Sequence, residues 1–307
     1  MLTHADSFYD LIDGGNSVLL CWYMEVLFAV LYATLIGFYN VFKKLAVTKT
    51  HGTVILVMFT TTAFACSLIW LPFGVAVPWH LVWILALKGF LIAISWFLVL
   101  RILKTVDLSI VTVTDVLSAG LSFVLGIVIF HEGTNLWQVI GAVIIVLGVV
   151  GINLCNRDSK GRTTMLQILG LIFSALVSVA CSVFDKYTTT YLTPYQVQFW
   201  FLFFLCLFVW LFFIVECLCY KKVLIQKQDL KNFWIYLVGI FLFLGDFFLF
   251  QAYKVPGSKM IVISILSKLK VIIPVFMGIL IFKEKHIWKK LLFTGIVISG
   301  AVLVSAF

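Results

Sequence analysis

Residues Ile261–Lys290 read IVISILSKLKVIIPVFMGILIFKEKHIWKK, an apolar run long enough to cross a bilayer, with Lys268 and Lys270 inside it, Pro274 interrupting it and Glu284 closing it among lysines. A second run of the same design comes earlier. Ile110–Trp137 reads IVTVTDVLSAGLSFVLGIVIFHEGTNLW, and a displacement of 152 positions sets Phe130 on Phe282, Glu132 on Glu284 and Gly148 on Gly300. A displacement of 150 sets Gly89, Phe97 and Lys104 on Gly239, Phe247 and Lys254, and one of 145 sets Phe28, Leu31 and Asn40 on Phe173, Leu176 and Asp185. The matches run in order along the chain, so it reads as one unit written twice.

The 307 residues are 63% hydrophobic and 11% charged, more apolar surface than a soluble domain of this length could hide. An all-α integral membrane protein follows. Ten apolar runs are predicted as helices: Val18–Phe42, Thr53–Val77, Trp79–Leu100, Leu108–Phe130, Leu136–Leu154, Met165–Tyr187, Tyr195–Tyr220, Phe233–Tyr253, Ser258–Phe282 and Ile287–Ala306. Each is close to the roughly 17–25 residues that a spanning helix needs. Polar or Pro/Gly-broken turns separate them, such as Leu71-Pro72-Phe73-Gly74 and Val255-Pro256-Gly257. The expected organisation is a short tail over residues 1–17, a five-helix repeat over 18–155 and a second over 156–307. Five is odd, so the ten transmembrane helices form two inverted repeats, the arrangement of many secondary transporters.

The formal charge of +9 is carried in clusters between apolar runs, where bases meet anionic lipid headgroups rather than nucleic acid. Bases at Lys43, Lys44, Lys49; Arg101, Lys104; Arg157, Lys160, Arg162; Lys221, Lys222, Lys227, Lys231; and Lys283, Lys285, Lys289, Lys290 fall in the odd-numbered loops and account for 16 of the 22. The opposite loops hold at most Lys186, Lys254 and Lys259. The positive-inside rule then makes the odd loops cytoplasmic and puts both termini outside. No basic segment precedes the first apolar run, so no signal peptide is read there. The seven cysteines have no metal or redox spacing and read as small buried hydrophobes; no metal or cofactor site is expected.

Five ionisable groups lie near the middle of their helices: Lys88, Asp115, Asp246, Lys268 and Lys270. At about 2.5–3.5 kcal/mol each on an insertion scale, five uncompensated charges would cost on the order of 12–17 kcal/mol. They pair, face water or neutralise. A packing role is one reading, with Lys88 paired to Asp115 and Asp246 to a helix-nine lysine. The other is that they line a substrate cavity, favoured because three lysines meet two acids. Helical spacing puts Thr112, Asp115, Ser118 and Ser122 within an arc of roughly 120° on helix four, and Ser264, Ser267, Lys268 and Lys270 within roughly 160° on helix nine. Glu25, Tyr32 and Tyr39 share a stripe of helix one, as Gly239, Asp246 and Tyr253 do on helix eight. Tyr39 reads as an interfacial anchor, and Trp96 as either a buried ring or a stacking surface. Asp185 and Lys186 read as a solvated pair at the end of helix six. Glu132 and Glu284 read as boundary residues.

Helix four and helix nine each end in an acid just past an Ile-Phe pair (Glu132, Glu284), and a glycine-bearing helix follows (Gly148, Gly300). These positions, with Pro274, resemble the drug/metabolite transporter superfamily in its EamA-like branch, over essentially the whole chain from Val18. The first-half counterpart of Pro274 is Ser122, a departure that leaves helix four without a proline kink. The resemblance implies a ten-helix carrier with a central cavity between its halves, for amino acids, nucleobases, nucleotide sugars, sugar phosphates, quaternary amines or drugs. Its members are often drawn with both termini inside, against the charge count here.

The function expected is secondary transport of a small polar organic substrate by alternating access, coupled to protons or to exchange. Lys268 and Lys270 would hold an anionic group on it. The residues expected at the cavity are those two with Asp115, Lys88, Asp246, Glu25, Tyr32, Trp96, Ser118 and Ser264. A monomer in the cell membrane, in contact with lipids, suffices for this. The rivals are a lipid or polyprenyl-phosphate flippase and an intramembrane enzyme on a lipid substrate. The sequence assembles no nucleophile, base or metal group for the latter, so a non-enzymatic role is preferred.

Overall fold

Continuous apolar stretches without water to satisfy their backbones become helices, and helices are what the chain forms. The computed structural model describes residues 14–47, 52–102, 108–154, 165–220, 225–227, 229–280 and 287–306. The helices are α1 (Gly14–Val47), α2 (Gly52–Ser67), α3 (Trp79–Ile102), α4 (Leu108–Phe130), α5 (Leu136–Leu154), α6 (Met165–Tyr191), α7 (Pro194–Tyr220), α8 (Phe233–Lys254), α9 and α10 (Ile287–Ala306). α9 comes in three consecutive pieces: Met260–Leu266, a 3-10 turn over Ser267–Val271, and Ile272–Leu280. Seven of these rods are long and apolar enough to cross a membrane, and Gly120–Phe130, Leu136–Gly151 and Leu291–Val304 are shorter apolar helices. Large apolar side chains face outward all round, including Trp79, Trp83, Leu211 and Trp288, as lipid-facing surfaces require.

Three predicted boundaries are corrected. α2 turns into a 3-10 segment at Leu68–Phe73, which Gly74 ends at φ 80°, a value favouring glycine. α1 runs on to Val47, so Lys43 and Lys44 belong to it and not to the following loop. α6 runs on to Tyr191, which places Asp185 and Lys186 inside the helix rather than at its end. Glu284, Lys283, Lys285 and most of the other loop bases lie outside the described residues, as does the side chain of Asp115.

Two apolar cores share α1. One joins α1, α2, α3, α7 and α8 around Phe59, Leu85, Leu202 and Phe250; the other joins α1, α5, α9 and α10 around Ile145, Ile261, Leu266 and Val297. Small residues set the closest approaches. A Cβ on Gly148 of α5 would come within 2.6 Å of Val297 Cγ2 on α10, and one on Gly300 within 2.8 Å of the Gly141 carbonyl oxygen. Gly89 of α3 meets Phe204 of α7, and Gly239 of α8 meets Phe59 and Thr62 of α2.

Candidate functional site

The middle of α9 is irregular for a local reason. Pro274 has no N–H to give the Lys270 carbonyl, and its ring crowds that oxygen, so the preceding turn tightens into the 3-10 segment that carries Lys268 and Lys270. Gly37 of α1 fits against this break; a Cβ there would lie 3.0 Å from the Lys270 carbonyl oxygen and 2.7 Å from Ile273 Cβ. The break therefore sits against α1, and it also meets α4: Lys268 Nζ donates to Ser118 Oγ at 3.3 Å. Ser118 and Ser122 are buried, whereas Lys268 and Lys270 are half-buried. The predicted polar arcs of α4 and α9 thus meet at Ser118 and Lys268. The Ser264 hydroxyl is buried on α9, beside the Tyr253 hydroxyl but outside hydrogen-bonding geometry with it.

On the α1 side of the break, Lys43 points inward. Its Nζ takes the Tyr39 hydroxyl as acceptor at 3.3 Å and lies 5.3, 5.9 and 5.8 Å from the ring centroids of Tyr39, Phe59 and Trp96. Those three rings from α1, α2 and α3 form a box around an ammonium. Tyr39 is 6% exposed and meets Phe59 edge-on, so it is an interior residue and not the interfacial anchor expected of it. Trp96 packs on Phe59 with centroids 5.6 Å apart. Lys270 lies within electrostatic reach of both Tyr39 and Lys43. Tyr32, one stripe position back, packs half-buried against the first core.

A second charged group occupies the seam of α3, α6 and α8. Lys88 forms a buried ion pair with Asp185, and its Nζ lies 3.7 Å from the Phe201 centroid and 4.7 Å from that of Phe250. One expectation fails here: Asp185 is 4% exposed rather than solvated, and it is paired with Lys88. The alternative pairing of Lys88 with Asp115 lies outside the described residues. Its neighbour Lys186 is bonded too, donating to the carbonyl and hydroxyl oxygens of Ser258. Asp246 lies within electrostatic reach of Lys88, Asp185 and Tyr39.

The start of α9 is held by carboxylates. Its first N–H groups have no intrahelical acceptor. Glu25 takes the Lys259 N–H at 2.8 Å, and Glu132 takes those of Met260 and Ile261 at 2.6 and 3.0 Å. Glu25 is thereby placed at a helix end, away from the lysines of the α9 break. The sequence missed Lys43 and Asp185 as interior charges. A signal for Lys43 existed: it lies one helical turn beyond Tyr39 on the stripe that begins with Glu25.

Among the described residues, no group of three or more His, Cys, Asp or Glu side chains is placed to hold a metal ion.

No curated protein matches the sequence. Among solved structures 29 chains match, and one crystal structure whose description names no activity shares 14% identity, with TM-score 0.71, over 95% of this chain and 97% of that one. Likeness at that identity speaks for the fold alone. Residues 23–154 match the model of the EamA-like transporter family. That match covers 132 of the 307 residues, so the first half of the chain is similar to the EamA-like transporter family, and the membrane-capable helices make the chain a multi-pass integral membrane protein.

Proposed function

We propose that the chain is a ten-helix secondary transporter of the cell membrane, built as two inverted halves over 18–155 and 156–307, that moves a small polar metabolite bearing an anionic group. Alternating exposure of a midplane cavity would carry the solute across. The observation that carries this reading is the break in α9. It sets Lys268 and Lys270 at mid-span between α1, α4 and the aromatic box of Lys43, in surroundings where an anion is the natural partner of clustered ammonium groups. Trp96, Phe59 and Tyr39 supply apolar walls, and Ser118 a hydroxyl.

The inverted organisation draws support from paired contacts. Gly89 on α3 abuts α7, while its match Gly239 on α8 abuts α2, the exchange of halves that a two-fold inversion demands. Across the α5–α10 contact Gly148 abuts Val297 while its match Gly300 abuts Ile145, in the same sense. With both termini outside, Glu25 and Glu132 at the start of α9 close the outer end.

The test is a thermal-stabilisation screen of the purified chain across amino acids, nucleotides, sugar phosphates, amines and lipids, followed by uptake of the stabilising compound into proteoliposomes. Stabilisation and saturable uptake of an anionic metabolite are expected. Stabilisation by lipid alone would favour a flippase, and no uptake of any stabilising compound would end the transporter reading.

A further inference from the structure

The charges at the seam of α3, α6 and α8 do not balance. Lys88 gives its ion pair to Asp185, yet its Nζ also lies 4.7 Å from the ring of Phe250, one turn along α8 from Asp246. Asp246 is inside a membrane-spanning helix and 9% exposed. Among the described residues no side chain or backbone group donates a hydrogen bond to its carboxylate. One ammonium neutralises one carboxylate, and a second carboxylate at that depth needs a cation of its own.

Among the described residues, Lys88 is the cation within electrostatic reach of Asp246. α1 presents Tyr39; α6 presents Asp185 and, a turn away, Cys181; and Lys186 of α6 is turned to Ser258. α2 offers only Cys66 as a titratable group among its described residues. α7 directs Tyr195 toward Trp70 and Cys206 toward Thr61, with Glu216 near its far end. From α9, Lys270 reaches Tyr39 and Lys43.

We infer that Asp246 is the proton-binding group of the transport cycle, with Lys88 shared between Asp185 and Asp246 so that loss of the proton loosens the tie of α3 to α6. This rests on the transporter reading and names the group that couples it. With the proton on Asp246, the ammonium belongs to Asp185. When the O–H bond breaks and the proton passes to water on the open side, one cation faces two anions, and Lys88 divides between helices α6 and α8. A change in packing at the α3–α6 contact follows from a single ionisation.

The experiment is infrared difference spectroscopy on the full chain reconstituted in phosphatidylcholine liposomes, stepping pH in choline buffer, with deuterium exchange marking carboxylic acid bands. The wild type is expected to show a carboxylic acid C=O band that disappears and returns with pH. Asp246→Asn loses it, and Asp246→Glu, which keeps the acid, retains it at a shifted frequency. Asp185→Asn also loses it, because Lys88 then serves Asp246 alone. The inference is overturned if no band titrates in folded wild type, if the band survives Asp246→Asn, if Asp185→Asn leaves it unchanged, or if sodium rather than pH removes it. Should Asp246→Asn fail to fold, the shifted band of Asp246→Glu makes the same assignment. A titrating band without solute flux counts against the transporter reading, and solute flux without the band counts against Asp246.

Discussion

Two lysines inside this bundle sit over aromatic rings, and they differ in what completes their surroundings. Lys88 lies over Phe201 and Phe250 with the carboxylate of Asp185 against it, and is 2% exposed. Lys43 lies among Tyr39, Phe59 and Trp96 with a phenol as acceptor, is half-buried, and has a second cation, Lys270, nearby. Among the described residues no carboxylate pairs with Lys43. Cation–π attraction is worth about 0.5–2 kcal/mol, which holds an ammonium in place without neutralising it. A buried ion pair ties helices together; an ammonium held by rings and a neutral phenol keeps its charge available to a ligand.

The largest effect that separates the two is on stability. Lys88→Met leaves Asp185 buried without its cation and should destabilise the purified protein by about 3–5 kcal/mol, read by denaturant titration in detergent. Lys88→Met combined with Asp185→Leu should recover most of that. A single-variant loss below about 1 kcal/mol would make the pair a surface-like contact and undo the contrast.

Lys43→Met is expected to do the reverse. Stability should fall by no more than about 1 kcal/mol, the scale of the ring contacts, while the affinity for an anionic ligand drops about tenfold, or about 1.4 kcal/mol. Isothermal titration on both lysine variants reads the two effects side by side. If Lys43→Met binds as tightly as wild type, the aromatic box is packing and nothing more.

How far the sequence reveals this depends on where each decision is made. The helix bounds Leu108–Phe130, Leu136–Leu154 and Ile287–Ala306 are legible residue for residue, because hydropathy and polar turns decide them locally. The end of α6 is not. The helix is predicted to end at Tyr187, before Thr188, Thr189 and Thr190, yet each of these hydroxyls bonds back to a carbonyl one turn earlier, so the helix satisfies them internally and carries Asp185 inside. The break at Lys268 and Lys270 is legible from Pro274, a local cause. The partners of Lys43 and Lys88 are not, since Phe59, Trp96 and Asp185 come from other helices and no spacing along one helix reports them.

A smaller effect separates structural acids from either lysine group. Glu132→Gln weakens the hold on the first N–H groups of α9, at a cost of about 1 kcal/mol in thermal stability, and should leave ligand affinity unchanged in the closed state. A large affinity loss would join the start of α9 to the binding site. The smallest effect expected is from Trp96→Leu, about 0.5 kcal/mol in ligand affinity with the Lys43 box loosened, detectable as a two- to threefold rise in Kd.

The most direct measurement is ligand-induced thermal stabilisation by phosphorylated and carboxylated metabolites, comparing wild type with the Lys268→Ala, Lys270→Ala double variant in the same detergent. The prediction is that at least one such anion raises the Tm of the wild type in a concentration-dependent way and leaves the folded double variant unmoved. An anion that stabilises both proteins equally, or stabilisation of the wild type by neutral or cationic compounds alone, would contradict an anion site at the break in α9.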